Sequence, residues 1–289
     1  MKNKLFTTTL VLSLFLIFGP IALAEVKTLE MKPNDATAYY NMGIANSSLG
    51  DYKKAIQNFD KAIEINPLYT SAYYYRGMLY GKLGDHHRAI ENFSKTIELQ
   101  PNDPQAYSNR GNAYGRLGDH DRAIQDFNKA IAIDPKNSSA YHNRGVTYIR
   151  QRKYDQAIQD YGWVIEIDPK DARAYANRGL AYSRLGKYNQ AIQDYDRVIE
   201  IDPKDALAYH NRGQAHRTLG DYNRAIQDFN KAIEVDPKYA ESYYDRALTY
   251  TVRSKEISDY NQAIEDMKVA AKSGSKPAQV FLKGKGLEW

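Results

Sequence analysis

Apolar and small residues recur along most of the chain at spacings typical of amphipathic helices. Gly118 and Asp119 separate two such stripes; glycine closes helices in the left-handed conformation, and aspartate caps the helix that follows. The segment therefore predicts two helices joined by a tight turn, with small residues where the helices cross. The stripes on either side of the turn both have the spacing i, i+4, i+7: Tyr107, Gly111 and Tyr114, then Ala123, Phe127 and Ala130.

The pattern returns with a fixed period of 34 residues, marked by seven prolines: Pro33, Pro67, Pro101, Pro135, Pro169, Pro203 and Pro237. A fixed period of this length indicates an array of supersecondary units. Six complete units are predicted, at residues 36–69, 70–103, 104–137, 138–171, 172–205 and 206–239. A degenerate seventh unit, 240–276, carries four additional residues before Ala263. Residues 25–35, which echo the end of a lost second helix, and residues 277–289, which lack the pattern, are predicted to cap the two ends. Phe281 and Trp289 are expected to pack on the last hairpin.

These spacings resemble those of the tetratricopeptide repeat family. Unit five shows the matching positions in order: Tyr175, Gly179, Tyr182, Ala191, Tyr195, Val198 and Pro203. The resemblance implies an all-α fold, a right-handed superhelical solenoid of stacked helix–turn–helix hairpins, whose first helices line a concave groove. It also implies that the protein binds other proteins or peptides and is not an enzyme.

One position departs from the family, which usually has leucine before the first glycine. Units two to six have arginine there: Arg76, Arg110, Arg144, Arg178 and Arg212. Aspartates recur at one fixed offset on the second helix: Asp126, Asp160, Asp194 and Asp228. We expect the arginines to pair with these aspartates inside the hairpins, and the alternative is that the arginines contact a ligand.

A row of asparagines is the main candidate for ligand contact. It occupies one equivalent position of the first helices and is interrupted by Tyr75 in unit two: Asn41, Asn109, Asn143, Asn177 and Asn211. Asparagine is a mediocre helix former, whereas its amide donates and accepts hydrogen bonds, as an extended peptide backbone does. Family members that hold extended peptides use such a row. The alternatives are structural hydrogen bonds between hairpins and simple inheritance through repeat duplication.

Two further groups are candidates for the same groove. A basic row near the groove, in units two to five, is either a solvated edge or a surface that favours acidic peptide segments: Lys82, Arg116, Arg150 and Arg184. Aromatic residues crowd the N-terminal end, where Tyr40, Tyr74 and Tyr75 are expected to cover apolar side chains of a ligand.

The first residues are typical of a secretory signal peptide. Lys2 and Lys4 precede an apolar run at 10–18, and a small-x-small motif ends at Ala24. Cleavage is therefore expected between Ala24 and Glu25, which would place the protein in the periplasm or outside the cell without stable membrane insertion. The alternatives are an uncleaved membrane anchor and a buried N-terminal helix.

The remaining composition excludes several kinds of chemistry. The chain has no cysteine, which excludes disulfides and thiolate metal sites, and its net charge of +5 argues against nucleic acid as the main partner. His142 and His210 are expected to point into the groove, two repeats apart and too distant to share a metal. No cofactor or metal is predicted. We interpret the chain as an exported protein- or peptide-binding scaffold of the envelope or secretion machinery, with a binder of acidic polysaccharide as the alternative and an enzyme as a disfavoured third.

Overall fold

The computed structural model describes residues 35–253 and 257–289. The predicted signal peptide and its cleavage site after Ala24 lie outside these residues, as does part of the predicted insertion in unit seven. The described residues form fifteen helices and no strand, which confirms the all-α fold. The chain divides into two compact parts, an N-terminal part, Met1–Leu79, and a C-terminal part, Tyr80–Trp289. The division falls within the third helix.

The N-terminal part, described from residue 35, contains α1 (Ala36–Ser48), α2 (Tyr52–Ile65) and most of α3 (Thr70–Lys82). Its core includes Phe59, which is fully buried. Gly43 on α1 is small because a Cβ there would lie 2.5 Å from Cε1 of that phenylalanine ring. The two helices of this hairpin therefore approach closely at Gly43.

The C-terminal part begins with the last residues of α3 and continues through twelve more helices. They are α4 (His86–Leu99), α5 (Pro104–Arg116), α6 (His120–Ile133), α7 (Ser138–Arg150), α8 (Tyr154–Ile167), α9 (Ala172–Arg184), α10 (Tyr188–Ile201), α11 (Ala206–Thr218), α12 (Tyr222–Val235), α13 (Ala240–Arg253), α14 (Ile257–Lys272) and α15 (Lys276–Gly284). From α4 onward each helix packs against the next, and the first helices of neighbouring hairpins, α5, α7, α9, α11 and α13, also contact each other in turn.

Turn and cap residues do what the sequence pattern predicts. Gly118 has a φ of 84°, the left-handed conformation that costs glycine little. The Asp119 carboxylate accepts a hydrogen bond from the Arg122 backbone N–H at 3.1 Å. Asp171 and Asp205 cap α9 and α11 in the same way. These aspartates therefore start the helices that follow them, as predicted for Asp119.

The C-terminal end has its own core. Met267, Ala270 and Leu282 are buried there, and Phe281 packs against this cluster. Trp289 is 43% exposed, and its packing on the last hairpin stays a prediction. No helix within 35–253 or 257–289 has the length and apolarity needed to cross a membrane.

Candidate functional site

In the C-terminal part, bidentate ion pairs join the two helices of each of four hairpins. Arg110 Nε and Nη2 donate to both carboxylate oxygens of Asp126 at 2.8 Å each. The same pair forms sixteen residues apart in three further hairpins: Arg144 with Asp160, Arg178 with Asp194 and Arg212 with Asp228. The predicted arginine–aspartate pairing is confirmed for these four arginines. It is wrong for Arg76, which pairs with Asp60 of the preceding hairpin because its own hairpin has asparagine at the equivalent position. The carboxylates of the four bidentate pairs are nearly buried, and burial raises the pKa of Asp160 and Asp194 despite the adjacent arginines.

The arginines also reach backward, to the second helix of the preceding hairpin. Arg110 Nη1 donates to Ser94 Oγ at 3.0 Å, and Arg212 Nη1 donates to Asp196 at 2.6 Å. Arg144 bonds Asn128 and Arg246 bonds Asn230 in the same way. Residue 162 is glycine and offers Arg178 no such acceptor. Each of these arginines except Arg178 thus ties together parts of two hairpins, which assigns these side chains to structure.

The asparagine row lies on the first helices. Asn41, in the N-terminal part, is exposed on α1. The four asparagines of the C-terminal part are half-buried on α5, α7, α9 and α11: Asn109, Asn143, Asn177 and Asn211. The side-chain amides of Asn143, Asn177 and Asn211 have no hydrogen-bond partner among the described residues, and they remain open to solvent. These three amides are therefore available to a ligand.

The equivalent position on α13 behaves differently. It holds Asp245, a buried carboxylate that accepts from Gln214 Nε2 at 2.7 Å and pairs with Arg217 Nη1 at 3.2 Å, both on α11. His210 of α11 lies 3.5 Å from the same carboxylate and 3.0 Å from Ser242 Oγ. This position therefore faces the preceding first helix, and the ligand-accessible row of amides ends before unit seven.

The two candidate groove histidines differ in exposure. His210 is 4% exposed, so the prediction that it points into the groove is wrong. The rings of Tyr239 and Phe229 pack on it at 4.9 and 5.6 Å, and the polar network with Asp245 satisfies its nitrogens. His142 is half-buried with its edge on the Tyr161 ring. Burial lowers the pKa of both histidines.

The predicted basic row lies at the C-terminal ends of first helices. Lys82 ends α3, and Arg116, Arg150 and Arg184 end α5, α7 and α9; all four are exposed. Arg150 Nη1 donates to the Gly115 carbonyl at 3.2 Å, which draws it toward the preceding hairpin. Their positions at helix C-termini favour cations electrostatically, so the row is compatible with both interpretations made from the sequence.

Aromatic residues of the N-terminal part form one cluster. The Tyr40 ring stacks on Tyr69 at 5.1 Å and contacts Tyr75 at 5.9 Å, while Tyr74 meets Tyr75 edge-on. Burial, together with the neighbouring tyrosines, raises the pKa of Tyr40 to about 12. Tyr75 is 38% exposed, whereas Tyr40 and Tyr74 are half-buried. Met78, which is 43% exposed on the same helix, was not among the predicted contacts, although its spacing of three residues from Tyr75 was the available signal.

Comparison with protein families identifies this architecture. Models described as tetratricopeptide repeat match residues 36–69, 104–137, 172–205 and 206–239, and, in a second version, residues 58–91, 127–159 and 229–265. A model described as TPR repeat matches residues 80–118 and 147–186. Together the matches run from residue 36 to residue 265, well over half of the chain. The chain belongs to the tetratricopeptide repeat family.

Solved tetratricopeptide repeat structures resemble it over different lengths. A MamA protein is 29% identical, with a TM-score of 0.55, and the match covers 59% of this chain and 93% of MamA. A tetratricopeptide repeat protein from Parabacteroides merdae is 21% identical, with a TM-score of 0.62, covering 86% of this chain and 97% of the other. YrrB, described as a TPR protein with an unusual peptide-binding site, is 22% identical, with a TM-score of 0.57, covering 68% of this chain and all of YrrB. No curated protein matches this sequence.

Proposed function

We propose that this protein is an exported, non-catalytic scaffold that holds extended peptide segments of its partners in the groove lined by its first helices. The role we propose for it is in the cell envelope or in secretion machinery. The family supports a binding function, and the signal-peptide pattern at residues 1–24 supports export.

The free amides of the asparagine row carry the proposal. Asn143, Asn177 and Asn211 recur at one position on three successive first helices, half-buried and without protein partners among the described residues. Structural hydrogen bonding between hairpins is the competing role, and Asp245 of unit seven plays that role at the same position. An amide that presents both a donor and an acceptor matches the alternating groups of an extended backbone.

Binding by the asparagine row can be tested before a natural partner is identified. A random peptide library displayed on phage is selected against the purified protein, and the recovered peptides are measured by isothermal titration calorimetry. Changing Asn143, Asn177 and Asn211 together to alanine should weaken binding about ten-fold to a thousand-fold, since each net hydrogen bond contributes about 0.5–1.5 kcal/mol. Far-UV circular dichroism should show unchanged or slightly higher helix content, because alanine is the better helix former.

Asn189→Ala is the matched control, because Asn189 is exposed on the second helix α10 rather than on a first helix. Its affinity for the selected peptides should equal that of the unmodified protein. Unchanged binding by the triple variant, combined with a lower urea midpoint, would refute the groove role. Binding to acidic glycans on a glycan array, with no peptide recovered from the phage library, would favour the polysaccharide alternative.

Export is tested separately. If residues 1–24 are a cleaved signal peptide, protein recovered from the periplasm or medium should begin at Glu25, because signal peptidase cuts after a small-x-small motif. Amino-terminal sequencing of that material measures this directly. Material that retains Met1 would contradict cleavage, and material found only in the cytoplasm would contradict export.

A further inference from the structure

The turns inside the hairpins are alike in most units and different in two. The sequence Leu-Gly-Asp occupies the turn at 49–51, 83–85, 117–119 and 219–221. In the C-terminal part, Gly84, Gly118 and Gly220 adopt φ values of 82°, 84° and 83°. The aspartate that follows each of these glycines caps the next helix through its carboxylate. A typical turn in this chain therefore carries one aspartate, whose charge is balanced by a basic residue three positions on: Lys54, Arg88, Arg122 or Arg224.

Units four and five replace this acidic turn with basic residues. Unit four has Gln151-Arg152-Lys153, and unit five has Leu185-Gly186-Lys187. Arg152 adopts a φ of 58°, where a side chain is unfavourable. Lys153 and Lys187 stand at the N-caps of α8 and α10, which have no side-chain cap hydrogen bond.

Each of these replacements works against local stability. A lysine at a helix N-terminus opposes the helix dipole, and the loss of an aspartate leaves backbone N–H groups uncapped. Two successive units nevertheless accept them, and both gain positive charge. Residues that break local rules without a structural gain point to a functional surface.

The two turns are neighbours on one surface. Lys187 Nζ lies 3.4 Å from Asp155 Oδ1, which is on the first turn of α8 directly after the turn of unit four. The ends of α7 and α9 add Arg150 and Arg184 immediately before the two turns. The basic turn patch, as we call it, consists of five exposed side chains: Arg150, Arg152, Lys153, Arg184 and Lys187.

We propose that the basic turn patch binds a short acidic segment of a protein partner. Arginine and lysine side chains that stay exposed can form charge-assisted hydrogen bonds with several carboxylates at once. Asp155 pairs with Lys187, and Asp121 accepts a hydrogen bond from Gln151 of the unit-four turn, so the five cations of the patch face two carboxylates and keep an excess of positive charge.

The length of the ligand follows from the flanking turns. The turn of unit three ends in Asp119, with Asp121 beside it, and the turn of unit six ends in Asp221. A long polyanion, such as nucleic acid or an acidic polysaccharide, would meet these carboxylates on either side. Because Asp119 and Asp221 are already paired with Arg122 and Arg224, it would find no excess of positive charge there. A segment that spans only units four and five avoids them.

The patch is distinct from the asparagine row. Arg150 follows Asn143 by seven residues along α7, and Arg184 follows Asn177 by seven along α9. At a rise of 1.5 Å per residue this is about 10 Å along each helix. The two surfaces therefore can be changed independently, and the acidic-segment proposal stands without the groove proposal.

The test uses a variant that removes charge while restoring the usual turn. Arg152→Gly, Lys153→Asp and Lys187→Asp together recreate glycine and aspartate where the other units have them. The probe is a short fluorescein-labelled peptide of alternating glutamate and aspartate, and binding is followed by fluorescence anisotropy at low and physiological salt. The same peptide with glutamine and asparagine is the uncharged comparison.

We expect the unmodified protein to bind the acidic peptide more weakly as salt rises, and not to bind the uncharged peptide. The turn variant should lose affinity by on the order of ten-fold or more at low salt, while its urea midpoint rises because two helix caps are restored. The reduced affinity therefore cannot be attributed to unfolding.

A control variant changes net charge equally on other exposed positions: Lys129→Asp, Lys136→Asp and Lys204→Gln. It should bind the acidic peptide like the unmodified protein, and so should the triple asparagine variant. Equal loss in the control, full retention in the turn variant, or binding of a single-stranded oligonucleotide or heparin in preference to the peptide would each overturn the proposal.

Discussion

The close approach of the helices within a hairpin can be tested with two glycines on one helix. Gly111 and Gly115 lie one turn apart on α5. A Cβ added at Gly111 would lie 2.9 Å from Phe127 Cε1 and 3.1 Å from the Ala123 carbonyl oxygen, both in the packed face of α6. A Cβ added at Gly115 would meet only the Ala123 Cβ, at an ordinary contact distance of 3.9 Å. The two positions thus differ in packing but not in helix.

The expected free energies of unfolding follow from two opposing effects. Replacing glycine by alanine in a helix stabilises it by about 0.5–1 kcal/mol, toward the lower value in the last turn, where Gly115 lies. Overpacking a rigid interior costs about 1–3 kcal/mol, and at Gly111 the neighbours are a buried ring and a backbone oxygen. We therefore expect Gly115→Ala to stabilise by about 0.5 kcal/mol and Gly111→Ala to destabilise by up to about 2 kcal/mol.

Urea unfolding followed by circular dichroism at 222 nm measures both changes on the same protein. The expected result is a higher midpoint for Gly115→Ala and a lower one for Gly111→Ala, with similar slopes. Midpoints that rise together would show that the hairpin opens at no cost to admit a methyl group. That result would refute the close-crossing argument for Gly111, while leaving the repeat frame intact.

Three further predictions concern stability and use the same urea assay. Gly162→Asn should stabilise the protein more than Gly162→Ala, because only asparagine offers Arg178 the acceptor found in other hairpins; a larger gain for alanine would indicate helix propensity alone. Tyr161→Phe should stabilise it by about 1–3 kcal/mol, since the buried Tyr161 hydroxyl has no partner in the described part of the chain, and a loss would show that it has one in solution. Stability should fall as pH drops below about 6.5, because the unfolded chain binds protons that buried histidines refuse, and urea midpoints that do not change between pH 7.5 and 5.5 would contradict this. Burial lowers the pKa of these histidines: His142, His210 and His216.

Local patterns in the sequence were sufficient to predict the hairpins and their internal ion pairs. The stripe positions predict which faces meet, and the sixteen-residue spacing between Arg110 and Asp126 recurs in units four, five and six. The second acceptor, such as Asn128 for Arg144, was missed, although polar residues at that position in neighbouring units were a usable signal. It was missed because the contact crosses from one unit to the next, where stacking geometry decides which side chains meet.

The candidate site was less predictable than the fold. The asparagine row was found from its recurrence, but whether its amides are satisfied depends on neighbours that no local pattern reveals. His210 shows the same difficulty, because its burial depends on Tyr239 and on Asp245 of the next hairpin. Residues that face an adjacent unit are therefore the ones for which sequence reasoning is weakest.

The paired arginine contacts have a mechanical consequence. Within the C-terminal part, the second helix of a hairpin is held by two arginines, one from its own hairpin and one from the next. The side chains that accept from them are two positions apart, as Asp126 and Asn128 are on α6. Under tension the load would pass through these side-chain joints in series. The joint from α8 to Arg178 has glycine where the others have an acceptor. We expect a stretched chain to yield first between units four and five, which would part Asn143 from Asn177 and release a bound peptide before the hairpins themselves unfold.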